Sequence, residues 1–90
     1  MDYEFRWNEW NIDHLAEHAV SPEEAENLIR DARPPFSREL AKGKYLVRGQ
    51  SMTGAYLQAI FVVDPGDTLY VIHARPMTHV EKHKFRRNRR

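Results

Sequence analysis

The chain has 90 residues, of which 41% are hydrophobic and 30% charged, with a formal net charge of +1 and no cysteine. This length suffices for one small core, and the hydrophobic fraction excludes general disorder. No apolar run approaches the roughly 18 residues of a membrane span, and disulfides, thiolate nucleophiles and Cys-based zinc sites are excluded. We therefore expect a single domain over residues 1–90 that works in the cytoplasm.

The charge is divided unevenly between the two halves of the chain. Residues 1–40 contain four Lys or Arg and ten Asp or Glu, whereas residues 41–90 contain ten Lys or Arg and three Asp or Glu. The net charges of −6 and +7 make the second half the candidate surface for a polyanion, because clustered cations attract phosphates. A basic tail that serves only solubility is the alternative.

The N-terminal residues predict a short strand followed by a helix. Aromatic and charged residues alternate over residues 3–7, which is typical of an edge strand with three rings on one face. From residue 8 or 9 to His18 the pattern becomes helical, with Ile12, Leu15 and Ala19 along one side. The predicted order therefore begins with a strand at the sheet edge and a first helix.

A second helix is marked by its capping residues. Ser21 can cap the helix, Pro22 suits its first position, and Glu24 can bond back to the cap. Pro34-Pro35 ends the helix, because proline cannot donate and restricts the residue before it. A loop is expected from there to Gly43. The predicted inner stripe of this helix consists of Ala25, Leu28, Ile29 and Ala32.

From Lys44 onward the periodicity changes to that of strands. Runs over residues 44–51, 55–63 and 68–75 are separated by short turn segments, which predicts a three-stranded antiparallel meander. The middle run is apolar on both faces near its end, so we expect it at the sheet centre with both helices on one face. A last helix is predicted from Thr78 to about Arg87, opened by a second capping box of Thr78 with Glu81. The basic residues 86–90 are expected to fray.

Four segments in this order resemble the BrnT family of toxins. They are residues 5–9 (FRWNE), 18–25 (HAVSPEEA), 44–51 (KYLVRGQS) and 72–81 (IHARPMTHVE). The resemblance implies an α+β, RelE-like fold and a ribonuclease activity that halts translation. It also implies neutralisation by a co-expressed BrnA-like antitoxin. We further expect that antitoxin to be of the ribbon-helix-helix type, RNA to be the substrate, no cofactor, and assembly as a homodimer or a toxin–antitoxin hetero-oligomer.

The residue types for metal-independent RNA cleavage are all present in the second half. The reaction needs a base for the 2′-hydroxyl, cations for the charge on the phosphate and an acid for the leaving oxygen. Arg75, at the end of the third run, and Lys44 and Arg48, on one face of the first, are candidate phosphate-binding groups. His73 is two residues from Arg75 and is expected on the same side of its strand.

Two of the candidate catalytic residues also have structural interpretations. His73 is expected on the side that receives Leu69 and Val71, so it is either a core histidine or a group that moves protons. Glu81 is either only the third position of a capping box, or a general base, or a carboxylate that holds Arg75 in place. Arg75 itself has few uses in a core, which favours a functional role.

The last helix supplies the candidate RNA-binding residues, which are His79, Lys82, His83, Arg86 and Arg87. The histidine pairs 14/18 and 79/83 have the spacing of metal ligands on one helical face, but neither has the Glu of a zincin motif or an identifiable third ligand. We therefore expect no metal. Two rival hypotheses remain, a non-catalytic RNA- or protein-binding module with the same fold and a stably associated subunit whose aromatic face serves a partner.

Overall fold

In the computed structural model, which describes residues 3–87, the chain forms an α+β fold with a five-stranded mixed sheet and three helices. The sheet order is β1-β5-β4-β3-β2, with β1 parallel to β5 and the other neighbours antiparallel. The long apolar strand β4 is at the sheet centre, as predicted. The elements in chain order are β1 (Phe5–Arg6), α1 (Glu9–Ala16), α2 (Pro22–Arg30), β2 (Arg38–Ala41), β3 (Lys44–Gln50), β4 (Tyr56–Val63), β5 (Leu69–Pro76) and α3 (His79–Arg87).

Both N-terminal helices begin with reciprocal capping bonds. At α2 the backbone N–H of Glu24 donates to Ser21 Oγ at 3.1 Å, and the N–H of Ser21 donates to Glu24 Oε1 at 3.2 Å, as the sequence predicted. Asn8 and Asn11 form an equivalent pair at α1, with bonds of 2.8 and 3.2 Å. Each pair satisfies two N–H groups that a helix start leaves unpaired.

α1 is two residues shorter than predicted and ends at Ala16. Ala19 takes a left-handed φ of 59°, and the N–H of Val20 donates to the carbonyl of Leu15 at 3.1 Å. This is a common way to satisfy the carbonyls at a helix C-terminus. The chain therefore leaves α1 in a tight turn and reaches the cap of α2 within a few residues.

The buried polar residue of α1 is Asn11, which periodicity alone did not reveal. Its amide nitrogen donates to the carbonyl of Arg6 at 3.2 Å and to that of Val71 at 3.1 Å. One side chain thus joins α1 to both β1 and β5, and it satisfies two backbone acceptors at the sheet edge.

The core lies between α1, α2 and one face of the sheet. The predicted inner stripe of α2 is confirmed, with Ala32 partly buried and the other three residues fully buried. A Cβ at Gly49 would lie 3.1 Å from Leu28 Cδ1, so the glycine permits a close approach of β3 to α2. The core consists of Leu15, Val20, Ala25, Leu28, Ile29, Val47, Leu57, Ala59, Phe61, Leu69, Val71 and Ala74.

The prediction of a loop from residue 34 to Gly43 is wrong in its second half. Arg38–Ala41 forms β2, which pairs with the start of β3 through the positions Arg38↔Leu46 and Glu39↔Tyr45. All four residues of β2 are exposed. Because no side of this strand is buried, its sequence carries no alternation from which it could be recognised.

β5 contains a bulge that changes which residues face the core. Phe61 of β4 pairs with Val71, and the preceding residue Ile60 pairs with His73, so Ile72 is an extra residue without a partner on β4. Val71 and Ala74 therefore both belong to the core face. The prediction that His73 shares a side with Leu69 and Val71 is wrong, because the extra residue shifts the alternation.

α3 begins after Thr78 and includes Arg86 and Arg87 in its last turn. The expected fraying from residue 86 is thus wrong for these two arginines, and the rest of the predicted tail, residues 88–90, lies outside the described residues. Within residues 3–87, none of the helices is long and apolar enough to cross a membrane.

Candidate functional site

Polar side chains from three strands meet on the sheet face opposite the core, which we call the open face. Arg48 of β3 is directly opposite Gln58 of β4, and Gln58 is directly opposite Arg75 of β5. Side chains at facing positions of neighbouring strands lie about 5 Å apart. His73 is on the same face two residues before Arg75. With Glu81 of α3, these residues form what we call the polar cluster.

The carboxylate of Glu81 contacts both arginines of the polar cluster. Its two oxygens accept hydrogen bonds from Arg75 Nη1 at 2.8 Å and from Nη2 at 2.9 Å. Arg48 Nη2 is 3.5 Å from Oε2, and the backbone N–H of Thr78 donates to Oε1 at 2.8 Å. One carboxylate thus holds two guanidinium groups and caps α3 at the same time.

The surroundings of Glu81 lower the pKa of its carboxyl group from the usual 4.5 to about 2. The main cause is the paired hydrogen bond with Arg75, followed by the bond from the Thr78 amide. A carboxylate with so low a pKa is ionised at neutral pH and is a weak proton acceptor. Of the interpretations of Glu81, the geometry favours the one in which it caps α3 and holds Arg75.

Gln58 joins Arg48 to His73, and its bonds determine the tautomer of the imidazole. Gln58 Oε1 accepts from Arg48 Nε at 2.9 Å, which leaves Gln58 Nε2 facing His73 Nε2 at 3.3 Å. An amide nitrogen can only donate, so His73 Nε2 is the acceptor and the neutral ring carries its hydrogen on Nδ1.

The imidazole of His73 is held in its neutral form. Burial is the largest influence that lowers its pKa, followed by the positive charge of Arg75, by His18 in the turn after α1 and by His14 on α1, while Glu81 acts in the opposite direction. The ring of His18 lies 6.4 Å from that of His73, centroid to centroid. A neutral imidazole suits a general base once its Nε2 lone pair is released from the Gln58 amide, and within the polar cluster His73 is the one imidazole.

Lys44 is not brought together with the other candidate catalytic residues. It lies on the open face of β3, but four residues before Arg48, which corresponds to about 13 Å along an extended strand. Its position faces Val62 rather than any member of the polar cluster.

The candidate RNA-binding residues form one basic surface on α3. A shallow depression of about 120 Å³ is lined by His79, Lys82, His83 and Arg86, and Arg87 is exposed at the end of the helix. Lys82 Nζ also lies 4.8 Å from the ring centroid of Tyr56. Since Glu81 directly precedes Lys82, this surface adjoins the polar cluster.

Sequence reasoning missed Gln58, which is only 6% exposed. The signal was present, because Gln58 is the single strongly polar residue between Leu57 and Val63 in an otherwise apolar strand. A buried polar side chain in such a strand needs partners, and here these partners are the two candidate residues Arg48 and His73.

Among residues 3–87 no three His, Asp or Glu side chains are grouped so that they could hold a metal ion. No family model, curated protein or solved structure matches the chain.

Proposed function

We propose that the protein is a metal-independent endoribonuclease, the toxin of a toxin–antitoxin pair, and that the polar cluster is its active site. The main supporting observation is that two arginines and a neutral histidine share one partly exposed site on the open face. The basic surface of α3 and the resemblance of four segments to BrnT toxins also support it. A RelE-like arrangement belongs to the same proposal, since both N-terminal helices pack on one sheet face and β3, β4 and β5 pair antiparallel in succession.

In the proposed reaction the 2′-hydroxyl of RNA attacks the adjacent phosphorus. His73 Nε2 accepts the hydroxyl proton once the Gln58 amide has moved aside, the 2′-oxygen forms a bond to phosphorus, and the bond to the 5′-oxygen breaks. Water protonates the leaving 5′-oxygen. The products are a 2′,3′-cyclic phosphate and a 5′-hydroxyl end.

Arg48 and Arg75 stabilise the negative charge that develops on the phosphate. Each guanidinium has five N–H donors, and the bonds to Glu81, Gln58 and the Pro76 carbonyl leave some of them available. Their side chains are 20% and 26% exposed, so a phosphate can reach them. Preorganised donors of this kind contribute about 10²–10³-fold to a rate.

The proposed partner is a ribbon-helix-helix antitoxin that blocks RNA from the polar cluster. This part of the proposal is supported by the resemblance to BrnT toxins. A partner that covers the open face would place carboxylates near the basic α3 surface, because opposite charges across an interface favour association.

A non-catalytic binding module is the second candidate function, and the Arg75–Glu81 pair is the observation that favours it. Both guanidinium groups near Glu81 are partly neutralised within the protein, and the same contacts attach α3 to the sheet. A purely structural role for Arg75 and Glu81 would leave only the basic surface of α3 for binding.

The deciding experiment combines expression with a cleavage test. We expect induced expression to stop growth and fragment total RNA, and co-expression of the adjacent open reading frame to prevent both. Purified protein should cleave RNA in EDTA and leave cyclic phosphate ends. The rate should fall on the acid side, at a pH lower than for an ordinary imidazole, because burial lowers the pKa of His73 and protonation removes its lone pair. A folded His73→Gln variant should lose this activity. Intact RNA with the folded wild-type protein would favour the binding module.

A further inference from the structure

A groove of about 650 Å³ adjoins the polar cluster, and the proposed catalytic step does not use it. It lies between the C-terminal end of α2, the segment that follows it, the last residues of β3 and the ring of Phe85 on α3. Arg48 is in its lining and is also bonded to Gln58 in the polar cluster. The groove and the polar cluster are therefore continuous through one side chain.

The lining of the groove is cationic. Arg30, Arg33 and Arg48 belong to it, against the single carboxylate of Asp31. Arg30 is paired with Glu26 at 3.1 Å, whereas the exposed Arg33 side chain makes no hydrogen bond or ion pair with any residue from 3 to 87. Arg33 is thus available for an anion at the groove mouth.

Backbone groups along the groove are also available. The N–H of Val63 donates to the carbonyl of Gly43, and the N–H of Ser51 donates to the carbonyl of Ala55. These two bonds show that the odd-numbered residues of β3 direct their backbone N–H and carbonyl groups towards β4. The N–H and carbonyl groups of Arg48 and Gln50 therefore point to the opposite edge. The pairing of β2 with β3 extends only to Leu46, so these groups have no strand partner within the described chain.

We propose that this groove binds, in a single-stranded RNA, the nucleotide adjacent to the two that the cleaved bond joins, an inference that rests on the proposed function. Arg33 contacts its phosphate, the base lies near Phe85, and the free backbone groups and Asp31 bond to base edges. The volume is in the range of about 300–1,000 Å³ that holds small ligands, which fits a nucleotide and not a duplex. Single-stranded RNA is typically bound by cationic grooves beside aromatic rings.

An extended peptide is the other occupant that a free strand edge would accept. The groove has three arginines and one carboxylate, and it leads directly to the polar cluster. Both observations favour RNA over a peptide, and the peptide becomes an outcome of the test.

The test compares Arg33→Glu with Lys42→Glu, a matched reversal at an exposed lysine in the turn before β3, outside the groove lining. The probe is a labelled RNA of about ten nucleotides with a 2′-deoxy sugar at the cleavage position, and its binding is followed by fluorescence anisotropy. We expect Arg33→Glu to weaken binding about tenfold and to reduce the salt dependence, and Lys42→Glu to change affinity by less than about twofold. Circular dichroism should show that both variants are folded. Arg33→Gln, which removes the charge without reversing it, should bind RNA with an affinity between those of the wild-type protein and Arg33→Glu.

Cleavage of two substrates separates this inference from the proposed function. Arg33→Glu should slow cleavage of the unmodified oligonucleotide but not of a dinucleotide, which reaches only the polar cluster. Equal affinity of the wild-type protein and Arg33→Glu for RNA would overturn the groove site while leaving the catalytic proposal intact. If Arg33→Glu lost binding to an acidic peptide but kept binding to RNA, the groove would be a peptide site and the proposed RNA site would also be overturned. Wild-type RNA binding that depends on Arg33, without any cleavage, would support the groove and refute the nuclease.

Discussion

Two of the capping boxes in the described chain join a hydroxyl residue to a glutamate, Ser21 with Glu24 before α2 and Thr78 with Glu81 before α3. In both, the hydroxyl oxygen accepts the N–H of the glutamate, at 3.1 and 3.2 Å, and the carboxylate accepts the N–H of the cap, at 3.2 and 2.8 Å. The local geometry of the two helix starts is therefore nearly the same.

The two boxes differ in what lies beyond the helix start. Within the described chain, the hydrogen bonds of the Glu24 carboxylate are confined to Ser21, whereas both oxygens of Glu81 are bound by Arg75. The difference arises because β5 ends beside α3 and places a guanidinium there. A capping box is a local feature, but the electrostatics of its carboxylate are set by tertiary structure. Glu24 is thus a natural control for Glu81.

The largest expected effect follows from Arg75→Ala, which removes the guanidinium bound to Glu81 and so makes the capping box of α3 resemble that of α2. We expect RNA cleavage to fall by at least about 10²–10³-fold, because the phosphate loses a preorganised donor. The melting temperature should fall by only a few degrees, since a partly exposed ion pair contributes about 1 kcal/mol or less. Initial rates and thermal melts measure the two effects. Wild-type cleavage by this variant would remove the polar cluster as active site.

The next largest effect is expected for Glu81→Gln, with Glu24→Gln as the matched control. Glutamine keeps an oxygen for the cap but not the carboxylate that orients Arg75, so cleavage should fall about tenfold, whereas Glu24→Gln should cleave like the wild-type protein. If Glu81 were instead the general base, the loss would reach about 10²–10⁴-fold. The dependence of the cleavage rate on pH distinguishes the two roles. If Glu81 only positions Arg75, the fall of the rate in acid that is caused by protonation of His73 remains in Glu81→Gln.

Acid denaturation provides a comparison of the two boxes that does not depend on activity. The pKa of Glu81 is lowered in the fold to about 2, so its ionised form stabilises the protein above its usual value of 4.5, and this contribution is lost as pH falls towards 2. We expect Glu81→Gln to flatten the decline of stability between these pH values. Chemical denaturation at several pH values measures it. A similar flattening in Glu24→Gln would show that the two boxes are electrostatically equivalent.

The smallest effect is expected from deletion of residues 86–90, which contain four arginines. RNA affinity at low salt should fall several-fold, and the slope of log affinity against log salt should decrease by about 0.7 for each phosphate that the shortened protein no longer neutralises. The fold should remain intact, because α3 contributes no residue to the buried core. Unchanged affinity at low salt would assign the tail to solubility alone.

The sequence predicted those parts of the fold in which one face of an element is buried. The stripe of α2 and the central strand β4 follow from apolar periodicity, and two helix starts follow from capping residues. The exposed strand β2 was missed because its formation depends on pairing with β3 and not on burial. Local pattern carries no information on such pairing.

The candidate site was predicted in part for the same reason. Arg75, Glu81 and Arg48 were found from residue type and position, and the structure places both arginines in contact with the Glu81 carboxylate. Gln58 and the face of His73 were not predicted, since one depends on register across three strands and the other on a bulge. Both are properties of the assembled sheet, which no single segment of the sequence contains.

Because Ile72 is an extra residue in β5, the strand could be shortened by this one residue and its other side chains would stay on the same faces of the sheet. Without Ile72, the strand would alternate regularly, and Val71 and Ala74 would still face inward while His73 and Arg75 faced outward. A bulge instead increases local bending and twist, and so changes the direction in which the following side chains point. An Ile72 deletion would therefore leave the same side chains on each face and change only the direction in which His73 and Arg75 point. Such a variant would fold but would misalign the two residues proposed to act in catalysis.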